Sequence, residues 1–259
     1  MASTGGARVP LLLVLPIAVA AVVTPLVLSG GRAAAQPPSQ PPGADARAVY
    51  LADCAICHGA DGHGTNRGPT LVGVGRASLD YYLTTGRMPI TDPALQLGNP
   101  NQKVKRRTPF YPPAVIRQLE DYVQGLTGGG GPDIPTILPF GDVARGGELF
   151  RLQCAACHAW AGDGGALLHR EAPSLHHDTP TQIGDAVRAG PGLMPAFGQA
   201  ALTDNQLNDL AAYVRYLDHP DDRGGEPLWH LGPMAEGGVA VICGLGIMLL
   251  TIRWIGDKE

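Results

Sequence analysis

"RLQCAACHAW", residues 151–160, holds two cysteines two residues apart, followed at once by a histidine. The arrangement recurs as "CAICH", residues 54–58, so four of the five cysteines in the chain lie in two copies of one motif. Outward from each copy the surroundings repeat too. An aromatic residue stands four positions before each first cysteine, Tyr50 and Phe150. "GPTL" (68–71) is matched by "APSL" (172–175), and "GRMP" (86–89) by "GLMP" (192–195). Each copy closes on an amphipathic pattern: "VIRQLEDYVQGL" places Val115, Leu119, Tyr122, Val123 and Leu126 on one helical face, and "QLNDLAAYVRYL" does likewise with Leu207, Leu210, Ala211, Val214 and Leu217. Pro112 and Pro113 suit the start of the first closing helix, and Thr203 with Gln206 offers a capping box to the second. The chain therefore carries two copies of one short all-helical unit, with mostly loop expected between the opening and closing helices. Such a unit is too small to hold together on side-chain burial alone.

C-x-x-C-H reads as covalent c-type haem attachment. Cys54 and Cys57, and again Cys154 and Cys157, are spaced to bond the two vinyl groups along one porphyrin edge, and His58 and His158 follow as axial ligands. Zinc ribbons need paired C-x-x-C motifs about 15–20 residues apart, which this chain lacks, and a redox dithiol needs a βαβ pattern that is absent here. Structural disulfides remain chemically available in an oxidising compartment but leave the repeated histidine, proline and methionine unexplained. The sixth ligands are expected to be Met88 and Met194, each the only methionine of its unit in a matching Gly-x-Met-Pro setting. The rivals are His63 in the first unit and His169, His176 and His177 in the second. Pro69 and Pro173 are expected to offer carbonyls that orient the ligand histidines, with Leu71 and Leu175 packing on the haem plane. The fold class is all-α: two tandem class I cytochrome c domains flanked by an N-terminal hydrophobic helix and a C-terminal transmembrane helix.

The 259 residues divide accordingly. Residues 1–35 form a signal or N-terminal membrane anchor, with an uncharged run over 9–28 long enough to cross a bilayer. Cleavage would leave a soluble N-terminus and retention an anchor; both send the middle of the chain across the membrane. A Pro-rich linker (36–45) precedes domain 1 (46–127), a Gly/Pro linker (128–136) precedes domain 2 (137–219), and a juxtamembrane segment (220–233) leads to a transmembrane helix and tail (234–259). In that last stretch Arg253 is placed to snorkel, and Trp229 and Trp254 bracket the span as interfacial aromatics. Lysine and arginine outside the spans place both termini in the cytoplasm and the two domains on the extracytoplasmic side of the plasma membrane. A net charge of −4 without a basic stripe argues against nucleic acid as a partner. "KVKRR" (103–107) is the densest positive run, read either as a solvated face or as a docking surface for an acidic redox partner. Cys243 lies in the C-terminal span as a small apolar residue.

The second half carries a closer likeness. "GDVARGGELFRLQCAACH", "APSL", the stretch from Gly190 to Phe197, "AAYVRYL" and above all the juxtamembrane "LGPMAEG" resemble the dihaem cytochrome c subunit of the actinobacterial-type cytochrome bc complex, a menaquinol:cytochrome c reductase. The resemblance implies two covalently attached haem c groups with His58/Met88 and His158/Met194 ligation. It also implies partnership with cytochrome b and a Rieske iron–sulfur subunit, and delivery of electrons to a terminal cytochrome oxidase. The chain itself then only carries electrons, with no catalytic acid, base or nucleophile, as a subunit of a quinol:cytochrome c oxidoreductase. Rival expectations are an electron-accepting subunit of a periplasmic dehydrogenase or another oxidase, a dihaem peroxidase, and a haem-based gas sensor.

Overall fold

Asp45 caps the first helix of the chain: its side chain accepts the Arg47 N–H at 3.0 Å at the start of α1 (Ala46–Asp53). The structure is a computed structural model and describes residues 45–90, 105–167, 170–221, 228 and 233–256. The run over 9–28, Lys103, His169, Trp229 and the excursion over 91–104 lie outside the described residues. After α1 the chain bends at Cys54 into the single turn α2 (Ala55–His58), followed by α3 (Arg76–Thr84) and α4 (Pro113–Thr127). The second copy runs through α5 (Val143–Gln153), the single turn α6 (Ala155–His158), α7 (Pro180–Ala189) and α8 (Asp204–Tyr216). Between α6 and α7 a two-stranded antiparallel hairpin, β1 (Gly165–Leu167) with β2 (Arg170–Ala172), is the one addition to an otherwise helical set among the described residues.

The expected caps close the helices. Pro112 stands at the N-cap of α4 with Pro113 in its first turn, where a missing N–H costs nothing. Thr203 and Gln206 form a reciprocal capping box on α8, and Thr179 with Gln182 does the same for α7.

Two hydrophobic cores result. The first gathers Val49, Tyr50, Leu83, Tyr111, Val115, Ile116, Leu119 and Val123; the second gathers Phe150, Ile183, Val187, Leu202, Leu207, Leu210 and Val214 with two alanines. The aromatic before each C-x-x-C-H is fully buried and meets a tyrosine of the closing helix in the same pose. The ring centroids of Tyr50 and Tyr122 lie 5.4 Å apart at 50°, and those of Phe150 and Tyr213 lie 5.4 Å apart at 48°. Each opening helix thus crosses its closing helix through an edge-tilted aromatic pair.

In the second copy the crossing is tight enough to demand glycine. A Cβ added to Gly146 would overlap the Asp209 carbonyl oxygen and lie 2.8 Å from Tyr213 Cβ. Gly146→Ala is therefore expected to cost about 1–3 kcal/mol by forcing α5 off α8. Urea unfolding followed by circular dichroism checks this, with the exposed Gly198→Ala as the neutral comparison.

The chain between opening and closing helices is mostly loop, as expected from sequence, but each copy also carries one helix there that the sequence did not mark, α3 and α7, and these pack on each other, joining the two cores. Arg106 extends that joint: it pairs with Asp178, donates to Gln182 Oε1 at 2.9 Å, and Gln182 donates on to Thr84 at 3.0 Å. One charge of the basic run is thus turned inward, while Lys105 is exposed. The Gly/Pro segment after α4 is docked as well: Pro132 accepts the Ala77 N–H at 3.2 Å, and Pro135 and Ile137 pack over Gly184.

Finally α9 (Pro233–Gly256) spans 24 residues, about 36 Å at 1.5 Å per residue. It is long and apolar enough to cross a membrane: within residues 235–256 an 18-residue window has a mean hydropathy of 2.0, and none of that window is buried in the protein.

Candidate haem sites

Both C-x-x-C-H motifs take one backbone shape. Cys54 and Cys154 sit at φ −116° and −118° with ψ −40°, each closing its opening helix and starting the short turn that carries the histidine. His58 N–H donates to the Cys54 carbonyl and His158 N–H to the Cys154 carbonyl, both at 2.9 Å. This turn packs Cys54 and Cys154 against their cores, while Cys57 is half-buried and Cys157 exposed.

The imidazoles are oriented by the proline loops. His58 Nδ1 lies 2.8 Å from the Pro69 carbonyl oxygen, and His158 Nδ1 lies 3.0 Å from that of Pro173. The carbonyl can only accept, so Nδ1 carries the proton and Nε2 is the free donor that a metal takes. Burial lowers the His158 pKa against the pull of the Pro173 carbonyl, which favours the neutral, ligating ring.

The loops come this close because of a Gly-x-Gly element not singled out in the sequence. Gly64 and Gly164 adopt φ of +88° and +89°, and an added Cβ at either would lie 2.9 or 2.8 Å from the carbonyl carbon of Pro69 or Pro173. Gly62 and Gly162 then accept the Leu71 and Leu175 N–H groups at 2.7 and 2.8 Å. The signal was a glycine pair at matching distances after both histidines.

Around each core the sequence-nominated residues meet. Cys54, Leu71 and Met88 are half-buried against the first core; Cys154, Leu175 and Met194 are half-buried against the second. None of the five cysteines is joined in a disulfide. Burial pushes the Cys54 thiol up to about 12 and the Cys154 thiol up to about 11, the reverse of the depressed values that a redox dithiol requires.

The rival histidines are placed elsewhere. His63 is exposed and held by Asp61, its Nδ1 3.2 Å from the Asp61 carbonyl. His176 is clasped between Asp163 and Asp218, with 3.0 Å to each ring nitrogen, so neither nitrogen is free to ligate. His177 is exposed.

Two arginines outside the sequence reading frame the methionines. Arg188 of α7 is buried and donates to the Phe197 carbonyl at 2.9 Å, to the Leu202 carbonyl at 2.6 Å and to Asp204 at 2.6 Å, pinning the stretch that follows Met194. Arg87, beside Met88, is buried over the Tyr81 ring at 4.8 Å, and its Nη1 has no hydrogen-bond partner among the described residues. An orphaned guanidinium N–H fits a cofactor that carries carboxylates, as haem does through its propionates. The donor set is equally apt: two thiols, one carbonyl-anchored imidazole and one thioether per core.

A short C-x-x-C-H turn held between crossed opening and closing helices, built twice in one chain, is the architecture of a c-type cytochrome. Residues 141–214 match the family model described as cytochrome c oxidase, cbb3-type, subunit III. The chain is 34% identical to the cytochrome bc1 complex cytochrome c subunit of Corynebacterium diphtheriae over 82% of its own length and 79% of that protein. It is 34% identical to the subunit of the same name from Mycobacterium tuberculosis, over 82% and 76%. A cbb3-type cytochrome c oxidase subunit CcoP from Azospirillum is 30% identical over 67% of this chain and 62% of its own. The chain belongs to the family of cytochrome bc1 complex cytochrome c subunits.

Proposed function

We propose that this chain is the membrane-anchored dihaem cytochrome c of a respiratory quinol:cytochrome c reductase, receiving electrons from a Rieske iron–sulfur protein beside cytochrome b and passing them to a terminal oxidase. The observation that carries the proposal is the duplicated C-x-x-C-H turn with its proline-anchored histidine, in a chain that matches bc1 cytochrome c subunits along most of its length. Cys54, Cys57, Cys154 and Cys157 hold the two groups as thioethers. His58 with Met88 and His158 with Met194 would be the ligand pairs of the two irons. Haem c bound there supplies one-electron chemistry, and the potential is set by axial ligand, burial and hydrogen bonding.

The chain's own residues position rather than react. Pro69 and Pro173 fix the histidine rings, Leu71 and Leu175 would exclude water from a haem held there, and Arg87 Nη1 would be available to one of its carboxylates. Were Met88 and Met194 to ligate opposite His58 and His158, no coordination site would remain for peroxide or a diatomic gas, which disfavours the peroxidase and sensor readings. α9 anchors the two cores to the membrane, and they lie on its extracytoplasmic side by the distribution of lysine and arginine.

The match of residues 141–214 to a cbb3-type oxidase subunit favours one second reading, a cytochrome subunit of an oxidase. Affinity purification from native membranes separates the two. Recovery of cytochrome b and a Rieske protein with the haem-stained chain is expected; recovery of oxidase core subunits without them overturns the proposal in favour of the second reading.

A further inference from the structure

Three carboxyl groups meet where α3, α4 and α7 come together. Asp185 of α7 is wholly buried, and neither of its carboxyl oxygens receives an N–H or hydroxyl from the described residues. Glu120 of α4 is 2% exposed, and its Oε1 is likewise unpartnered. Asp80 of α3 stands between them, within hydrogen-bonding reach of both.

A carboxylate accepts and cannot donate, so each of the two links needs a proton. Three carboxyls joined by two links hold two protons and one negative charge; fully ionised they would bring three negative charges together out of water.

The surrounding charges relieve the row only in part: the Arg76 guanidinium pulls Glu120 downward, against burial and Asp80. Arg76 of α3 is engaged by Asp121 of α4 at 2.6 Å, and Arg117 of α4 lies on the exposed rim of the adjoining cleft of about 370 Å³, whose remaining walls include Thr84 and Thr181. Elsewhere on the joint, Arg106 is taken by Asp178. From α8, Asp204 is paired with Arg188, Asp209 with Arg145, and Arg215 with Asp218 and the Asp178 carbonyl.

We propose that Glu120, Asp80 and Asp185 form a proton-sharing latch between the two cores, which tightens the docking of α3 on α7 as pH falls and loosens it as pH rises. The latch does not depend on what the cores bind. Burial, reinforced by Asp80, raises Glu120 from its ordinary 4.5 to about 8 and Asp185 from 3.8 to about 9. The docked cores therefore hold protons that separated cores would release above about pH 4. Docking is strongest below that value, weakens through the window up to about pH 9, and levels off beyond it. Asp80 and Glu120 share one core, so a single carboxyl link, Asp80 to Asp185, crosses the joint, and the docking equilibrium shifts by up to about tenfold per pH unit.

The test is hydrogen exchange of the full-length holoprotein in detergent between pH 5 and pH 9, corrected for the intrinsic pH dependence, with α5 as internal reference. Protection of α3 and α7 relative to α5 is expected to fall at least tenfold in the wild type. In Asp80→Asn/Glu120→Gln/Asp185→Asn it is expected to stay flat, because neutral amides keep hydrogen bonds at every pH. A flat wild-type profile, or an equal fall in the variant, overturns the latch. So does recovery of protection at pH 9 on adding calcium that EDTA reverses, since a cation would then be the occupant. Should the triple variant fail to fold, infrared spectroscopy decides: the carbonyl band of protonated carboxyl is expected at pH 7 and is expected to weaken in Asp185→Asn, and a wild type without that band overturns the proposal.

Discussion

Replacing Cys54 and Cys57 together by alanine is expected to halve the covalently bound haem and leave the second core loaded. Each motif has its own histidine, proline loop and core, so if both attach haem, as proposed, the loss is confined to one. The effect on the first core is larger than the loss of two sulfurs suggests. Among the described residues eight buried apolar side chains define it, and Cys54, Leu71 and Met88 at its edge are only partly buried. A domain of this size normally requires a metal, disulfide or cofactor to stay folded. Haem content by pyridine haemochrome should fall to half, and α1 and α4 should become the first sites of proteolysis. Unchanged haem content would show that the thiols of the first motif do not attach the group.

Substituting Met194 by histidine is expected to lower the potential of one haem by on the order of 0.2 V, a fraction of the roughly 0.8 V range that axial ligands command, and to leave the other unmoved. Met88→His should do the same to the other haem. The independence follows from the separate cores to which the two methionines belong. Redox titration of the purified protein reads both steps. Potentials that stay where they were would assign the sixth position to another side chain. For the second haem His177 is then the first candidate, because Asp163 and Asp218 already occupy both nitrogens of His176.

Much of this site is legible in the residues because covalent attachment fixes spacing. Two thioethers and a histidine on one turn allow only C-x-x-C-H, and the proline loop and methionine must return to the same centre, so both copies keep the same order of motifs. The closing helices are legible for a different reason: their buried faces are apolar at helical period, and the capping residues at Thr203 and Pro113 mark their starts.

The helices α3 and α7 hide from such a reading. Their buried positions include Gln182, Asp185 and Arg188, and Asp80 joins them at the interface, which interrupts the apolar period by which a core helix is recognised. The capping box at Thr179 with Pro180 behind it was the available signal for α7. The inward turn of Arg106 was equally hidden, since a run of lysine and arginine carries no mark of which member finds an acid seventy-two residues away. The hairpin of β1 and β2 follows from no alternation in the sequence; the first copy closes the equivalent loop with a single antiparallel bridge, Thr65 to Gly68, and the second, with 15 rather than 11 positions from histidine to proline, has room for a hairpin.

The central claim is that each C-x-x-C-H motif carries a haem through two thioethers. Intact mass of the protein purified from native membranes and measured under denaturing conditions tests it most directly. The chain should weigh its polypeptide mass plus two haem groups; a mass equal to the bare polypeptide, or to the polypeptide with a single haem, contradicts it.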